Sequence, residues 1–134
     1  MDSGVLIAAE REGKNPRQVI EEIAAKLGDT EATLSVITVT ELAHGTERAD
    51  SATRRATRER FLQELLSEIS VEPVTTPIAL RAGKIAGSLH AKGLRVALAD
   101  LLIGAMALEL GYSVVTHNMR HFEVIPNLEV KKFL

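Results

Sequence analysis

The 134-residue sequence predicts an α/β fold in which a parallel β-sheet is flanked by helices on both faces. Two observations lead to this prediction. Segments with apolar residues at helical spacing recur along the chain, and short β-branched runs separate them. Strands that alternate with helices pair in parallel, because the intervening helix returns the chain to the edge where the previous strand began. The length is that of one domain, and we expect residues 1–134 to form a single domain.

Helices are predicted in six segments that begin with a capping residue, a proline or a change to helical periodicity. They begin near Ser3, Pro16, Thr40 or Glu41, Ser51, Pro77 and Asp100. The second ends at Gly28 and the last at Gly111, since glycine readily adopts the left-handed conformation that ends many helices. Strands are predicted where β-branched residues form short runs. These are residues 34–39, 71–74, 112–116 and 128–133.

Composition argues against several classes of protein. The absence of cysteine excludes disulfides, thiolate zinc sites and a cysteine nucleophile. No run of about 18 apolar residues and no secretory leader is recognisable, so we expect no membrane span and a cytoplasmic location. A net charge of −2 and few aromatic residues argue against binding nucleic acid through bulk charge or base stacking. Recognition of RNA would therefore use shape, phosphates and a metal ion.

Three acidic residues differ from the others, most of which lie on polar helix surfaces. Asp2 precedes the first apolar helix, Glu41 follows the run that ends at Val39, and Asp100 lies within the apolar stretch 96–103. All three are predicted at the amino ends of helices, and in a parallel sheet these ends share one edge. Three converging carboxylates form an oxygen site that suits Mg²⁺ or Mn²⁺. Such an ion activates water and stabilises charge on a phosphodiester.

Each of these acids also has a plainer structural explanation. Asp2 can be an N-cap, and Glu41 can be a first-turn carboxylate that interacts favourably with the helix dipole. Asp100 is harder to explain in this way. A charge among apolar neighbours is costly unless it is paired, metal-bound or at a helix terminus.

Four segments resemble the motifs of PIN domains, in order and in spacing. Residues 2–8 are similar to the opening motif, an Asp followed by Ser or Thr and an apolar helix. Residues 39–45 resemble the second, a Glu in a Thr-Glu-Leu context with Gly four residues later. Residues 99–105 resemble the third, an Asp that opens the penultimate helix, and residues 114–122 resemble the closing segment of VapC toxins. The resemblance extends over nearly the whole chain.

The resemblance implies a PIN fold and an endoribonuclease activity that depends on Mg²⁺ or Mn²⁺. It also implies a homodimer and inhibition by a small VapB antitoxin encoded beside the toxin. Asp2, Glu41 and Asp100 carry over as metal ligands. Ser3 carries over as a hydroxyl that orients the site, and Thr116 as a supporting hydroxyl. Ser3 can equally be a helix cap, and Thr116 an ordinary strand residue.

The chain departs from the family pattern at two places. Many PIN domains have a fourth Asp where Asn118 stands, and an amide carbonyl can coordinate a metal or hold a water without supplying charge. One-metal and two-metal catalysis therefore both stay open. His121, where some relatives have another Asp, can meet a phosphate, but a structural role beside Phe122 is the favoured interpretation. In the family the first Asp ends a central strand, whereas only Met1 precedes Asp2 here, so we expect that strand to be truncated and the natural chain to begin upstream.

Two groups of basic residues are candidates for partner contacts. The first lies around the start of the fourth helix and comprises Arg48, Arg54, Arg55, Arg58 and Arg60. Such a group is usually a solvated helix face, and the alternative is contact with RNA phosphates or antitoxin acids. In VapC-like proteins this region helps to form the apolar groove that receives an antitoxin helix. The second group precedes the third motif and comprises Lys84, His90, Lys92 and Arg95.

Two rival functions are weighed against a ribonuclease toxin. A phosphoacceptor receiver domain also has a parallel sheet and an acidic Mg²⁺ pocket, but no Lys directly follows Thr116 as that fold requires. The stronger rival is a PIN protein that binds RNA or an antitoxin without cleavage, given the neutral Asn118 and the short segment before Asp2. Metal-dependent RNA cleavage separates it from the toxin.

Overall fold

The computed structural model describes residues 1–28 and 31–133, and it divides into two compact units, Met1–Glu72 and Pro73–Leu134. In the described residues, helices and short parallel strands confirm the α/β class. The first unit contains α1 (Ser3–Arg11), α2 (Pro16–Leu27), β1 (Thr33–Ser35), α3 (Val36–Glu47), α4 (Ala52–Glu68) and β2 (Ser70–Glu72). The second contains α5 (Thr76–Ala91), α6 (Leu98–Leu110), β3 (Val114–Thr116), a 3-10 helix (Met119–His121) and β4 (Val130–Lys132). None of the helices described is both long and apolar enough to cross a membrane.

Several helix boundaries are set by local capping, and those at Ser51 and Gly111 use the capping residues that the sequence predicts. Asn15 and Gln18 form a capping box at the start of α2, with reciprocal hydrogen bonds of 2.9 and 2.8 Å between backbone and side chain. The hydroxyl of Ser51 accepts a 3.1 Å hydrogen bond from the Arg54 amide at the start of α4. Gly111 ends α6 in the left-handed conformation. These ends depend on neighbours in the sequence, which explains why the sequence predicts them.

The strand predicted over residues 34–39 is wrong beyond its first two residues. The strand ends at Ser35, whose hydroxyl accepts a 3.0 Å hydrogen bond from the Ile37 amide and begins α3. The helix that was predicted to begin at Thr40 or Glu41 therefore begins at Val36, despite a β-branched run. Burial of its Thr38 face outweighs the weak preference of these residues for strands, as tertiary packing often does.

The strands pair in parallel within each unit. In the first unit β1 pairs with β2, with Leu34 opposite Val71. In the second β3 pairs with β4, with Val115 opposite Lys131. In the first pair the chain passes through α3 and α4 between the strands, as a parallel connection requires. The parallel arrangement predicted from the alternation of elements is confirmed.

A close approach at Gly104 fixes the carboxyl-terminal segment of the second unit against α6. Gly104 is buried, and a Cβ atom there would lie 2.7 Å from Ile125 Cδ1 and 3.4 Å from Leu128 Cδ2. Ile125 itself is only 2% exposed, so it has little room to move. The segment that contains the 3-10 helix is thereby held close to the helix that carries Asp100.

Substitutions at two helical glycines should have opposite effects on stability. Gly104→Val should lower the free energy of unfolding by about 1–3 kcal/mol, because its branched side chain overlaps Ile125. Gly83→Ala, where an added Cβ meets no atom within 4 Å among the described residues, should raise it by about 0.5–1 kcal/mol through helix propensity. Urea denaturation followed by circular dichroism measures both. Equal stability of Gly104→Val and the parent would contradict the close approach.

Candidate active site

Asp2 stands at the start of α1, but its side chain does not cap the helix. The residue has an extended backbone, and its carbonyl accepts a 3.2 Å hydrogen bond from the Val5 amide. No capping hydrogen bond to its carboxylate is present. Asp2 thus occupies the predicted N-cap position, without the side-chain hydrogen bond that a capping residue usually makes. Ser3 is the buried first residue of α1, so it is not the cap.

Glu41 lies in the middle of α3 and not in its first turn. It is the sixth residue of the helix, so the predicted position at a helix amino end and the helix-dipole explanation are both wrong. Its Oε1 atom is buried from solvent. Burial of a carboxylate oxygen is costly unless a partner compensates for the lost hydration. Glu41 therefore differs from the surface glutamates, as the sequence predicts.

A hydrogen bond from α3 places the start of the chain beside the Glu41 face. Thr38, which is fully buried, donates a 3.2 Å hydrogen bond from its hydroxyl to the Met1 carbonyl. Thr38 and Glu41 are three residues apart and lie on the same side of the helix. Asp2 directly follows Met1. The first unit thus holds two of the predicted ligands near each other in the fold.

Asp100 lies in the first turn of α6, where the helix dipole favours a negative charge. Its side chain is only 16% exposed. The following residues Leu101, Ile103 and Ala105 are buried, so the helix continues directly into the core. Two predictions for Asp100 are therefore confirmed: it lies at the amino end of a helix, and its neighbours are apolar.

His121 connects Asp100 to Asn118. Its Nδ1 atom lies 3.3 Å from Asp100 Oδ2, and its Nε2 atom lies 3.0 Å from the Asn118 side-chain nitrogen. The buried Thr116 hydroxyl accepts a 3.0 Å hydrogen bond from the Asn118 backbone amide. Thr116, Asn118 and His121 thus form a connected series that ends on Asp100.

The sequence favoured a structural role for His121 beside Phe122 and left a contact with a phosphate as the alternative. Phe122 is fully buried, whereas the His121 side chain is 53% exposed and contacts Asp100. The sequence feature that could have indicated the contact between His121 and Asn118 is their separation by three positions. In a 3-10 helix, residues three apart lie on the same side.

The side chains have the chemistry of a site for a divalent cation. Asp2, Glu41 and Asp100 carry carboxylates, and Asn118 carries a side-chain amide. Carboxylate and amide oxygens are the ligands that Mg²⁺ and Mn²⁺ prefer. Within residues 1–28 and 31–133, no group of three or more His, Asp or Glu side chains is already arranged as a metal site. The donor set fits the cation by type of atom.

The first unit has an apolar cavity with a basic rim. Its volume is about 360 Å³. It is lined by Leu6, Ile7, Glu10, Arg11, Leu42, Gly45, Thr46, Arg48, Arg58, Phe61 and Leu62. Arg58 is fixed there by a 2.7 Å hydrogen bond to the Gly45 carbonyl. Arg54 and Arg55 instead pair with Asp50 and Glu47, as expected of a solvated helix face.

The second unit has a cavity of about 450 Å³ that adjoins the start of α6. Its lining includes Leu89 and Leu101 on the apolar side and the exposed His90 and Arg95. Leu101 directly follows Asp100. Two of the four basic residues singled out in this part of the sequence therefore line a cavity beside the first turn of α6.

Comparison with known proteins gives one family. The family model of the PIN domain matches residues 1–127. The chain is 30% identical over 132 residues to the ribonuclease VapC of Rickettsia bellii, and the match covers 97% of this chain and 92% of that protein. It is 30% identical over 118 residues to the tRNA(fMet)-specific endonuclease VapC of Salmonella typhimurium, which covers 88% and 86% respectively. The crystal structure of DNA-bound VapBC from Salmonella typhimurium matches 98% of this chain and 94% of that chain, with a TM-score of 0.80 at 25% identity.

Removal of the Thr116 hydroxyl should loosen Asn118. In Thr116→Val the Asn118 amide loses its hydrogen-bond acceptor, which is worth about 1 kcal/mol, so its hydrogen exchange should accelerate roughly fivefold. Thr116→Ser keeps the acceptor and serves as the control. Amide exchange measured by NMR gives the result, and an unchanged rate in Thr116→Val would show that the hydroxyl does not hold Asn118.

Proposed function

The chain belongs to the PIN domain family and, within it, to the VapC group, and from this premise we propose that it is a metal-dependent endoribonuclease, the toxin of a VapBC toxin–antitoxin pair. The observation that carries the proposal is the setting of Asp100. A carboxylate that is 16% exposed opens an apolar helix and is contacted by His121. Polar groups gathered around one shielded carboxylate indicate a functional site.

The proposed ligands of the cation are Asp2, Glu41 and Asp100, with the Asn118 carbonyl as a neutral donor. Mg²⁺ or Mn²⁺, when bound, supplies an activated water and stabilises negative charge on the phosphodiester. Because Asn118 brings no charge to a second metal position, we propose that the site holds one ion firmly. Ser3 and Thr116 orient the site, and the buried Thr116 hydroxyl does so through Asn118. The domain extends over residues 1–134, an extent supported by a family match that covers most of both units.

The proposed substrate is RNA, which the second unit contacts through its basic residues. The cavity beside α6 has His90 and Arg95 in its lining and no carboxylate among its lining residues. Lys84 is exposed on α5, and Lys92 is exposed directly after the end of that helix. Cationic side chains that border an apolar cavity can bind the phosphates of a strand whose base enters the cavity. The Salmonella typhimurium relative, named for cleavage of tRNA(fMet), supports RNA as the class of substrate.

The proposed inhibitor is a VapB-type antitoxin, and its proposed site is the cavity of the first unit. The apolar side chains Leu6, Phe61 and Leu62 offer contacts to an amphipathic helix. Arg11, Arg48 and Arg58 offer ion pairs to its acidic residues. The proposal also includes a homodimer, to which the exposed Leu80 and Leu98 can contribute apolar area, and a cytoplasmic location.

Asp100→Asn should abolish most of the activity and keep the fold. The substitution retains shape and removes the charge that binds the cation, so cleavage should fall by about 100-fold or more. Cleavage is mapped on total cellular RNA after chelator treatment and addition of Mn²⁺, with and without the antitoxin. Asp50→Asn, at an exposed acid of the first unit, is the control and should cleave like the parent.

Each outcome of this experiment separates the candidate functions. Equal cleavage by Asp100→Asn and the parent would refute the assignment of Asp100. A parent that binds RNA but does not cleave it at any Mn²⁺ concentration would favour the alternative, a PIN protein that binds without cutting. Circular dichroism of both variants excludes unfolding as the cause of a loss.

Leu62→Ala should weaken the complex with the antitoxin. Leu62 lines the cavity of the first unit, and truncation of an apolar contact in an interface costs about 1–2 kcal/mol, or roughly tenfold in Kd. Leu66→Ala is the matched control on the same helix, because Leu66 is 42% exposed and outside the cavity lining. Isothermal titration with purified antitoxin measures both. Equal Kd values for the two variants would place the antitoxin elsewhere.

A further inference from the structure

We propose that His121 is a positioning residue, which holds the Asp100 carboxylate in the orientation that binds the divalent cation. The inference rests on the proposed function, since it concerns the same site. It gives His121 a role in that site different from the phosphate contact considered from the sequence. The basis is the contact of both ring nitrogens with side chains of the site.

The two contacts define which ring nitrogen carries the proton. The Asp100 carboxylate can only accept, so Nδ1 of His121 donates to its Oδ2 over 3.3 Å. The Asn118 amide nitrogen can only donate, so Nε2 accepts over 3.0 Å. A ring that makes both contacts has its N–H at Nδ1 and its lone pair at Nε2. The contact of Nε2 with Asn118 thus supports the contact of Nδ1 with Asp100, because an acceptor role at Nε2 leaves Nδ1 as the donor.

The segment that carries His121 is anchored on both sides. Before it, the Asn118 backbone is bound to the buried Thr116 hydroxyl. After it, Phe122 is fully buried and Ile125 packs on Gly104 of α6. An imidazole on such a segment has a fixed position relative to α6, even though the ring itself is half exposed. This rigidity lets His121 set the plane of the carboxylate.

When a hydrogen bond holds one oxygen of a carboxylate, the direction of the second oxygen is also fixed. Groups that hydrogen-bond to metal ligands tune affinity in this way, and their loss typically costs about 10- to 100-fold in metal binding. Both ring nitrogens contact side chains, so this arrangement leaves neither of them directed at a phosphate. His121 therefore acts through Asp100.

Two amide substitutions test each ring nitrogen separately. His121→Asn places an N–H donor near the position of Nδ1, whereas His121→Gln places an amide near the position of Nε2. His121→Ala removes both, and Arg120→Ala, an exposed neighbour in the same 3-10 helix, is the control. The Kd of Mn²⁺ is measured on the full chain by isothermal titration and by electron paramagnetic resonance of the free ion.

The expected result is a loss of about 10- to 100-fold in Mn²⁺ affinity for His121→Ala and His121→Gln. His121→Asn should stay within about threefold of the parent, and Arg120→Ala should be unchanged. In the metal-free protein, nitrogen-15 NMR should find the His121 proton on Nδ1, a state that depends neither on cleavage nor on bound metal. Asp100→Asn should change that signal.

The outcomes distinguish this inference from the proposed function. If the parent binds Mn²⁺ and His121→Ala binds it equally well, the positioning role is refuted and the proposed function stands. A protein that retains affinity as His121→Gln but loses it as His121→Asn also refutes the role of Nδ1. If the parent itself fails to bind Mn²⁺, the metal-dependent function fails, and this inference fails with it.

Discussion

A carboxylate that loses contact with water must gain compensation from a helix terminus, a hydrogen bond or a cation. This constraint explains most of what surrounds Asp100. The residue lies in the first turn of α6, where the dipole favours negative charge, and His121 contacts one of its oxygens. Glu41, with a buried oxygen in the middle of α3, is subject to the same constraint without a helix terminus.

Small residues and buried hydroxyls keep these groups in place. Gly104 lets Ile125 approach α6, and the Thr116 hydroxyl fixes Asn118 at the end of β3. In the first unit Thr38 performs the corresponding task, through its hydrogen bond to Met1 before Asp2. Each is a short contact made by a buried residue, and each restrains the backbone beside a candidate ligand. A rigid backbone matters because a metal site tolerates little error in ligand direction.

The boundaries of elements followed the sequence where local chemistry decides them and departed from it where packing decides them. Asn15, Ser51 and Gly111 mark helix ends through hydrogen bonds or conformations within a few residues. The run from Leu34 to Val39 favours a strand by composition, yet most of it is helical. Ser35 begins the helix there and Thr38 is buried against the rest of the first unit.

The sequence by itself determined the α/β class, the family and the unusual character of Asp2, Glu41 and Asp100, because motif order and apolar context are properties of the chain. It did not determine that the Asp2 side chain makes no capping hydrogen bond to α1, that Glu41 lies inside a helix, or that His121 contacts Asp100. The last of these joins residues on α6 and on the 3-10 helix, with a strand between them in the chain. Only the folded backbone sets such a distance, because no local propensity encodes it.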